Sequence, residues 1–316
     1  MDEIIYPEHL KSNLLNLLHN NTARIEESFG ISLALRGNKI MYDGHSQNQK
    51  KFKHYMNYIL KLSAEKGELN ASDIDMSLSM VEEDKIEAIP KELDKKIKII
   101  INGKEVAPKT FNQKEYLKAI LNNDMAFGIG PAGTGKTFLA ISIALHHLLT
   151  KKVERIVLTR PVVEAGEKLG FLPGDIQQKV NPYFRPLYDA LYHLIGFEKT
   201  AELIDKEIIE IAPLAYMRGR TIDNAFIILD EGQNTLNSQM KMFLTRFGQN
   251  SKVVVTADIS QIDLPEPNKS GIFRAIKILK NIRGIKIVTL TKHDVVRHQL
   301  VQKIIDAYDL SEGEKK

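Results

Sequence analysis

From residue 110 onward, short apolar runs alternate with stretches of helical spacing. The runs are MAFGI (125–129), RIVLT (155–159), FIIL (226–229), KVVVT (252–256) and IKIVTL (285–290). They are almost continuously apolar and are separated by connections long enough for a crossover. That pattern predicts a parallel sheet covered by helices on both faces. The first part of the chain is built differently. Leu10, Leu14, Leu17 and Leu18 recur at helical spacing, GISLALRGNKIMYDG alternates as two short strands around Gly37 and Asn38, and Phe52, Tyr55, Met56, Ile59 and Leu60 mark another one-sided helix. Between the two regions, VEEDKIEAIPKELDKK is dense in charge and holds a proline, so it reads as a linker. KIKIIINGKEV then reads as a hairpin turning at Asn102-Gly103. The expected organisation is a small α+β domain over residues 1–80, a charged linker and hairpin over 81–109, and an α/β domain over 110–316.

Composition narrows the class. In 316 residues, 43% are hydrophobic and 27% charged, close to an average globular chain and long enough for two domains. The formal net charge of +4 permits nucleic-acid binding without demanding it. The absence of cysteine excludes a disulfide framework, a thiolate metal site and a cysteine nucleophile, so any catalytic metal must sit on oxygen or imidazole. MDEIIYPEHL has neither a basic n-region nor an apolar h-region, and no apolar run approaches the roughly 18 residues of a spanning helix. The expected address is the cytoplasm, with no membrane partner.

Directly after the first strand comes GPAGTGKT: Gly130, Pro131, Ala132, Gly133, Thr134, Gly135, Lys136 and Thr137. It matches G-x-x-x-x-G-K-[ST] at every fixed position and opens the helical stretch FLAISIALHHLL. Glycines let backbone N–H groups converge on phosphate oxygens, and a helix N-terminus adds its positive dipole end. Lys136 is expected at the β- and γ-phosphates of ATP and Thr137 at Mg²⁺. In such proteins a second buried strand ends in an Asp that holds the metal, and Asp230 of AFIILDEGQNT fits. The adjacent Glu231 is placed to polarise an attacking water, which argues for hydrolysis rather than transfer to a bound acceptor and counts against a small-molecule kinase.

Other residues allow two readings each. Gln113 of KTFNQKEYL offers a donor and an acceptor to an adenine edge, with Tyr116 near enough to stack, or it is a polar residue in a first helical turn. Gln261 of VVVTADISQIDLP stands with Thr256 and Asp258 beyond a strand end, where it senses the γ-phosphate or merely terminates the strand. The connection from Thr159 to Leu191 interleaves Gly, Pro, basic and aromatic residues, as a loop following single-stranded RNA would. Arg160, Lys168, Lys179, Tyr183 and Arg185 are the candidate contacts there, and a plain structural loop is the competing reading.

With these motifs in place the chain resembles the PhoH-like proteins. The carriers are NQKEYLKAI, GIGPAGTGKTFLA, TRPVVEAGEKLGFLPGDIQQKVNPYFRPLYDAL, MRGRTIDNAFIILDEGQNT, SQIDLP and DVVRHQLVQKIIDAY, in that order over residues 100–310. The resemblance implies a RecA-like ATP-binding core, related to the nucleotide-binding half of superfamily 1 helicases, in a cytoplasmic protein tied to RNA metabolism. This chain departs from the family pattern at Gly232, usually Ala, and at Ala257, usually Gly.

Such a motor closes ATP between two RecA-like domains, the second supplying an arginine finger. Only residues 262–316 follow Gln261, too few for a second such domain. Efficient hydrolysis would then need a finger from a neighbouring subunit or a partner. The expectation is a homo-oligomer in a hexameric ring, with Arg297 of DVVRHQL as leading finger candidate and Arg220 as reserve, the alternative being an ordinary surface ion pair. The principal expectation is an Mg²⁺-dependent ATPase coupled to RNA remodelling. The alternative is an ATP-gated adaptor that regulates or recruits a ribonuclease or ribosome-maturation partner with little turnover of its own.

Overall fold

The computed structural model describes residues 2–6, 11–66, 69–89, 97–162, 176–296 and 304. The chain divides into two compact units, Met1–Ile97 with Ala107–Lys114, and Lys98–Val106 with Glu115–Lys316.

The first unit runs β1 (Asp2–Ile5), α1 (Lys11–Asn20), α2 (Thr22–Phe29), β2 (Ile31–Arg36), β3 (Lys39–Gly44), α3 (Ser46–Lys66) and α4 (Ala71–Glu82). Its strands form an antiparallel sheet in the order β1-β3-β2. The β2–β3 hairpin turns at Gly37, whose φ of 59° glycine adopts without penalty. The one-sided pattern of α3 is spent on the core: Phe52 and Tyr55 are fully buried, and Phe52 meets Phe29 and Tyr42 at centroid distances of 5.4 and 4.9 Å. Strand β1 was not expected, yet its period is visible in hindsight, with Ile4 and Tyr6 buried on either side of exposed Ile5. In the charged stretch after α4, Ile86 and Ile89 are buried in the same core.

The second unit begins with the hairpin of β4 (Ile99–Ile101) and β5 (Lys104–Val106), with Asn102 and Gly103 both at positive φ as a tight two-residue turn requires. α5 (Phe111–Asn122) belongs to the first unit up to Lys114 and to the second from Glu115, and beyond it lie β6 (Met125–Ile129), α6 (Lys136–Leu149), β7 (Arg155–Arg160), α7 (Ile176–Ile195), α8 (Phe197–Asp205) and β8 (Ile209–Pro213). β9 (Ala225–Leu229), α9 (Asn237–Leu244), β10 (Lys252–Ala257), α10 (Gly271–Leu279) and β11 (Ile285–Thr289) complete it. The strands make one six-stranded parallel sheet in the order β11-β6-β10-β9-β7-β8.

Every residue of β6 and β9 is buried, because helices cover both faces and neither face can be polar. On one face Phe127, Ile227 and Val255 pack with Met240 and Phe243 of α9 and Ile272 of α10. On the other, His147 of α6 meets the Phe226 ring edge-on at 5.5 Å.

Two features differ from the pattern reading. Strand β8, at the sheet edge and partly buried, went unread: its run IEIAP has only two β-branched residues, separated by Glu210, and ends on Ala212 and Pro213. The 159–191 connection is not loop to its end: α7 runs from Ile176 to Ile195 through Pro182 and Pro186. Both prolines lie on the exposed side, while Phe184, Leu187, Leu191 and Leu194 are buried at helical spacing, so apolar periodicity overrides the proline signal. Among the described residues no helix is long and apolar enough to cross a membrane.

Gly128 in the middle of β6 has a packing reason. A Cβ there would lie 2.6 Å from the Tyr116 ring, which is fully buried against the strand. Gly128→Ala is therefore expected to cost about 1–3 kcal/mol by overpacking, read as a lower urea midpoint with an unchanged slope.

Candidate nucleotide site

The strand register fixes the site before any side chain is placed. Ile129 pairs with Ala257, Val255 with Leu229, and Leu229 with Thr159, so β6, β10, β9 and β7 end together along one carboxyl edge. Ligands bind at such an edge in open α/β sheets. Strand β10 stands between the strand that leads into the glycine-rich loop and the strand that ends in the acids. Its own end therefore lies beside both.

The loop after β6 enters α6 through Gly133 and Gly135, at φ of 82° and 77°. Thr134 Oγ1 donates to the Pro131 carbonyl at 2.9 Å and tightens the turn. Lys136 Nζ donates to the carbonyls of Gly130 and Pro131 at 2.7 and 2.8 Å. Burial pushes the Lys136 ammonium below the usual lysine range, and the nearby Asp258, Glu231 and Asp230 carboxylates oppose that shift. The acids thus offset part of what burial costs the charged form of the lysine.

Asp230 is 3% exposed and its Oδ1 accepts from Thr137 Oγ1 and Thr256 Oγ1, each at 2.6 Å. Thr137 and Asp230 are 93 positions apart in sequence and their side chains touch. Glu231 follows in the left-handed region at φ 54°, a backbone state that only a few per cent of non-glycine residues adopt. Burial raises its carboxyl above the ordinary glutamate range, with Asp230 adding to the effect, while Gln233, Arg160 and Lys136 oppose it. These groups surround a cavity of about 250 Å³, whose wall also includes Ala132, Phe138, Asp258 and Gln261.

Arg160, expected on the RNA path, lies over this acid pair, with Nη1 3.6 Å from Asp230 Oδ2 and Nη2 3.4 Å from Glu231 Oε1. Gln261 is exposed at the cavity rim. Gln113 is buried in the first unit, where its Oε1 accepts the Lys109 backbone N–H at 2.8 Å. Tyr116 is fully buried against β6 and so does not stack on a base, contrary to expectation.

Tyr183 is half-buried on α7, and Arg185 is exposed and paired with Asp189 at 3.1 Å. Arg220 is held by Glu210, with Nη2 donating to Oε2 at 2.7 Å. Lys168, the side chain of Lys179 and Arg297 lie outside the described residues. Val296, just before Arg297, donates its N–H to the Gly133 carbonyl of the glycine-rich loop at 3.0 Å.

The pattern reading missed Gln233. It passed as part of a polar turn, yet it is fully buried and bonded to both strand ends.

The donor set suits Mg²⁺. Thr137 and Asp230 present hard oxygen donors side by side, and the described residues contain no group of three His, Cys, Asp or Glu that would hold an ion alone. A protein that contributes few ligands, with phosphates and water supplying the rest, matches the habit of this ion.

A parallel sheet with a glycine-rich phosphate loop at one strand end and an acid pair at another defines a P-loop ATPase fold. A PhoH-like protein family model matches residues 105–309, and the chain belongs to that family. It is 47% identical to a PhoH-like protein of Bacillus subtilis (strain 168), over 90% of this chain and 89% of that protein. It is also 47% identical to a PhoH-like protein of Mycobacterium tuberculosis (strain ATCC 25618 / H37Rv), over 96% of this chain and 86% of that protein. Among solved structures, the Sulfolobus solfataricus SWI2/SNF2 ATPase core in complex with dsDNA aligns at a TM-score of 0.35 and 14% identity, over 57% of this chain and 44% of that one. That likeness is too low to bear on function.

Proposed function

We propose that the protein binds ATP with Mg²⁺, hydrolyses it, and couples the cycle to RNA. The observation that carries the reading is the pair Asp230 and Glu231, one acid bonded to the Thr137 hydroxyl and the next turned away into the cavity with a raised carboxyl. On this reading Asp230 serves the metal and Glu231, held by Gln233 and Arg160, serves proton chemistry. Thr137 and Asp230 would hold Mg²⁺, which when bound screens the phosphate charge that opposes nucleophilic attack. The loop N–H groups and Lys136 orient the phosphates. Glu231 takes a proton from water as the water oxygen bonds to the γ-phosphorus and the bond from that phosphorus to the bridging oxygen breaks, leaving ADP and phosphate.

Coupling to RNA is supported by the connection after β7, which leaves the same carboxyl edge and whose later part carries Tyr183 and exposed Arg185. If single-stranded RNA raises ATP turnover severalfold, the motor reading stands. Weak turnover indifferent to RNA would favour the ATP-gated adaptor, with a ribonuclease or ribosome-maturation factor as its partner.

The finger is proposed to come from a neighbouring copy in a hexameric ring, through Arg297. Supplied in trans, such an arginine is worth about 10³ to 10⁵ in rate. Arg297→Ala is expected to keep ATP affinity and lose turnover by about that factor. Equal turnover in variant and parent would remove Arg297 from the reaction.

A further inference from the structure

Glu231 sits on a left-handed backbone with a long side chain, and something must hold its carboxylate in one orientation. Gln233 makes the contacts that would do so. Its Nε2 donates both to Glu231 Oε2 and to the Gln261 carbonyl, the latter at 3.0 Å, and its Oε1 accepts the Asp258 N–H at 2.9 Å. The side chain is fully buried, and the Gln233 backbone carbonyl accepts from Ser270 Oγ, so the amide has little freedom to turn away. One buried amide therefore joins the proposed base to both ends of the 258–261 turn, whose Asp258 and Gln261 line the same cavity.

We propose that Gln233 is a positioning residue: it aims the Glu231 carboxylate at the attacking water by tying it to the 258–261 turn. The proposal rests on the hydrolytic reading above. It assigns Gln233 no contact with nucleotide, only control over a group that has one. A buried amide whose donors and acceptor are all engaged holds one geometry, and a misplacement of about 1 Å at a reacting group can cost about a hundredfold in rate.

The test compares Gln233→Met, which keeps length and loses all three hydrogen bonds, with the parent protein. ATP affinity is read with a fluorescent ATP analogue, kcat by phosphate release, and folding by thermal melting. The expected result is a kcat lower by about thirty- to a hundredfold with analogue affinity within about threefold. In a Glu231→Gln background, Gln233→Met should leave the residual single-turnover rate within about twofold, because the two changes act through one carboxylate. If Gln233→Met fails to fold, Gln233→Asn carries the test, since it keeps a neutral amide but is one methylene too short to reach Glu231, Gln261 and Asp258 together; the same loss of kcat is expected. A folded variant with turnover within threefold of the parent overturns the proposal. So does a full further loss in the Glu231→Gln background, which would mark a merely structural residue. Failure of the parent protein to hydrolyse ATP would overturn the hydrolytic reading as well, whereas normal turnover in both parent and variant overturns only the role of Gln233.

Discussion

Lys136→Ala is expected to weaken ATP binding by a hundredfold or more. At an effective dielectric of 20, a unit charge pair 4 Å apart interacts by about 4 kcal/mol, and about 1.4 kcal/mol is tenfold in affinity. Lys136 would contribute against two phosphates at a position only 9% exposed, where water screens little. Its loss also leaves Asp230, Glu231 and Asp258 around the cavity with Arg160 as the cation bonded to the acid pair, so like charge opposes the incoming phosphates. Titration with a fluorescent ATP analogue measures the effect. Affinity within threefold of the parent would mean that the lysine does not reach the phosphates.

Glu231→Gln should behave in the opposite way. The amide keeps the size of the side chain and its contact with Gln233, and removes only the capacity to accept a proton. Binding should stay within a few-fold of the parent while kcat falls by about 10² to 10⁴, the usual worth of a general base. ATP should then remain bound and intact, recoverable from the protein after filtration. The environment adds a pH signature. Burial and Asp230 raise the Glu231 carboxyl, so it takes up its proton at a higher pH than an ordinary glutamate. A base must be ionised to act, so the acid limb of the parent's kcat/KM profile, which reports the free protein, should lie above the ordinary glutamate range, and the variant should lack that limb. Equal loss of binding in the Lys136 and Glu231 variants would place Glu231 in binding rather than in proton transfer.

What could be read from the sequence follows from how local each signal is. Strands β6, β7, β9 and β10 are legible because a strand buried on both faces must be a continuous apolar run, and the edge strand β11 is legible because its β-branched residues are interrupted only by Lys286. The glycine-rich loop is legible because its function depends on backbone shape and a helix N-terminus, both set within eight residues. The adjacency of Asp230 and Glu231 is visible for the same reason. Their proposed division of labour is also read from the motif; what the structure adds is that Asp230 meets Thr137 and Thr256 while Glu231 stands at positive φ.

The residues whose roles could not be read are those whose surroundings are set by distant chain. Tyr116 looked free to stack on a base, but Gly128 leaves a hollow in β6 that its ring fills. Arg160 stands in a glycine- and proline-rich stretch read as an RNA path, and its contact with the acids is not legible there, because it depends on β7 ending beside β9. Gln233 was one of several polar residues in a turn. Its partners lie 25 and 28 positions away, beyond the neighbouring strand, and no local spacing announces them. Strand β8 shows the same limit at an edge, where the Glu210–Arg220 pair replaces an apolar run.

The most direct test is steady-state phosphate release from ATP by the purified protein with Mg²⁺, with Glu231→Gln as the blank and each run with and without single-stranded RNA. The account predicts Mg²⁺-dependent turnover in the parent, raised by RNA, and a rate at least a hundredfold lower in the variant. Turnover that survives Glu231→Gln unchanged, or a parent that binds ATP and releases no phosphate under any of these conditions, would contradict it.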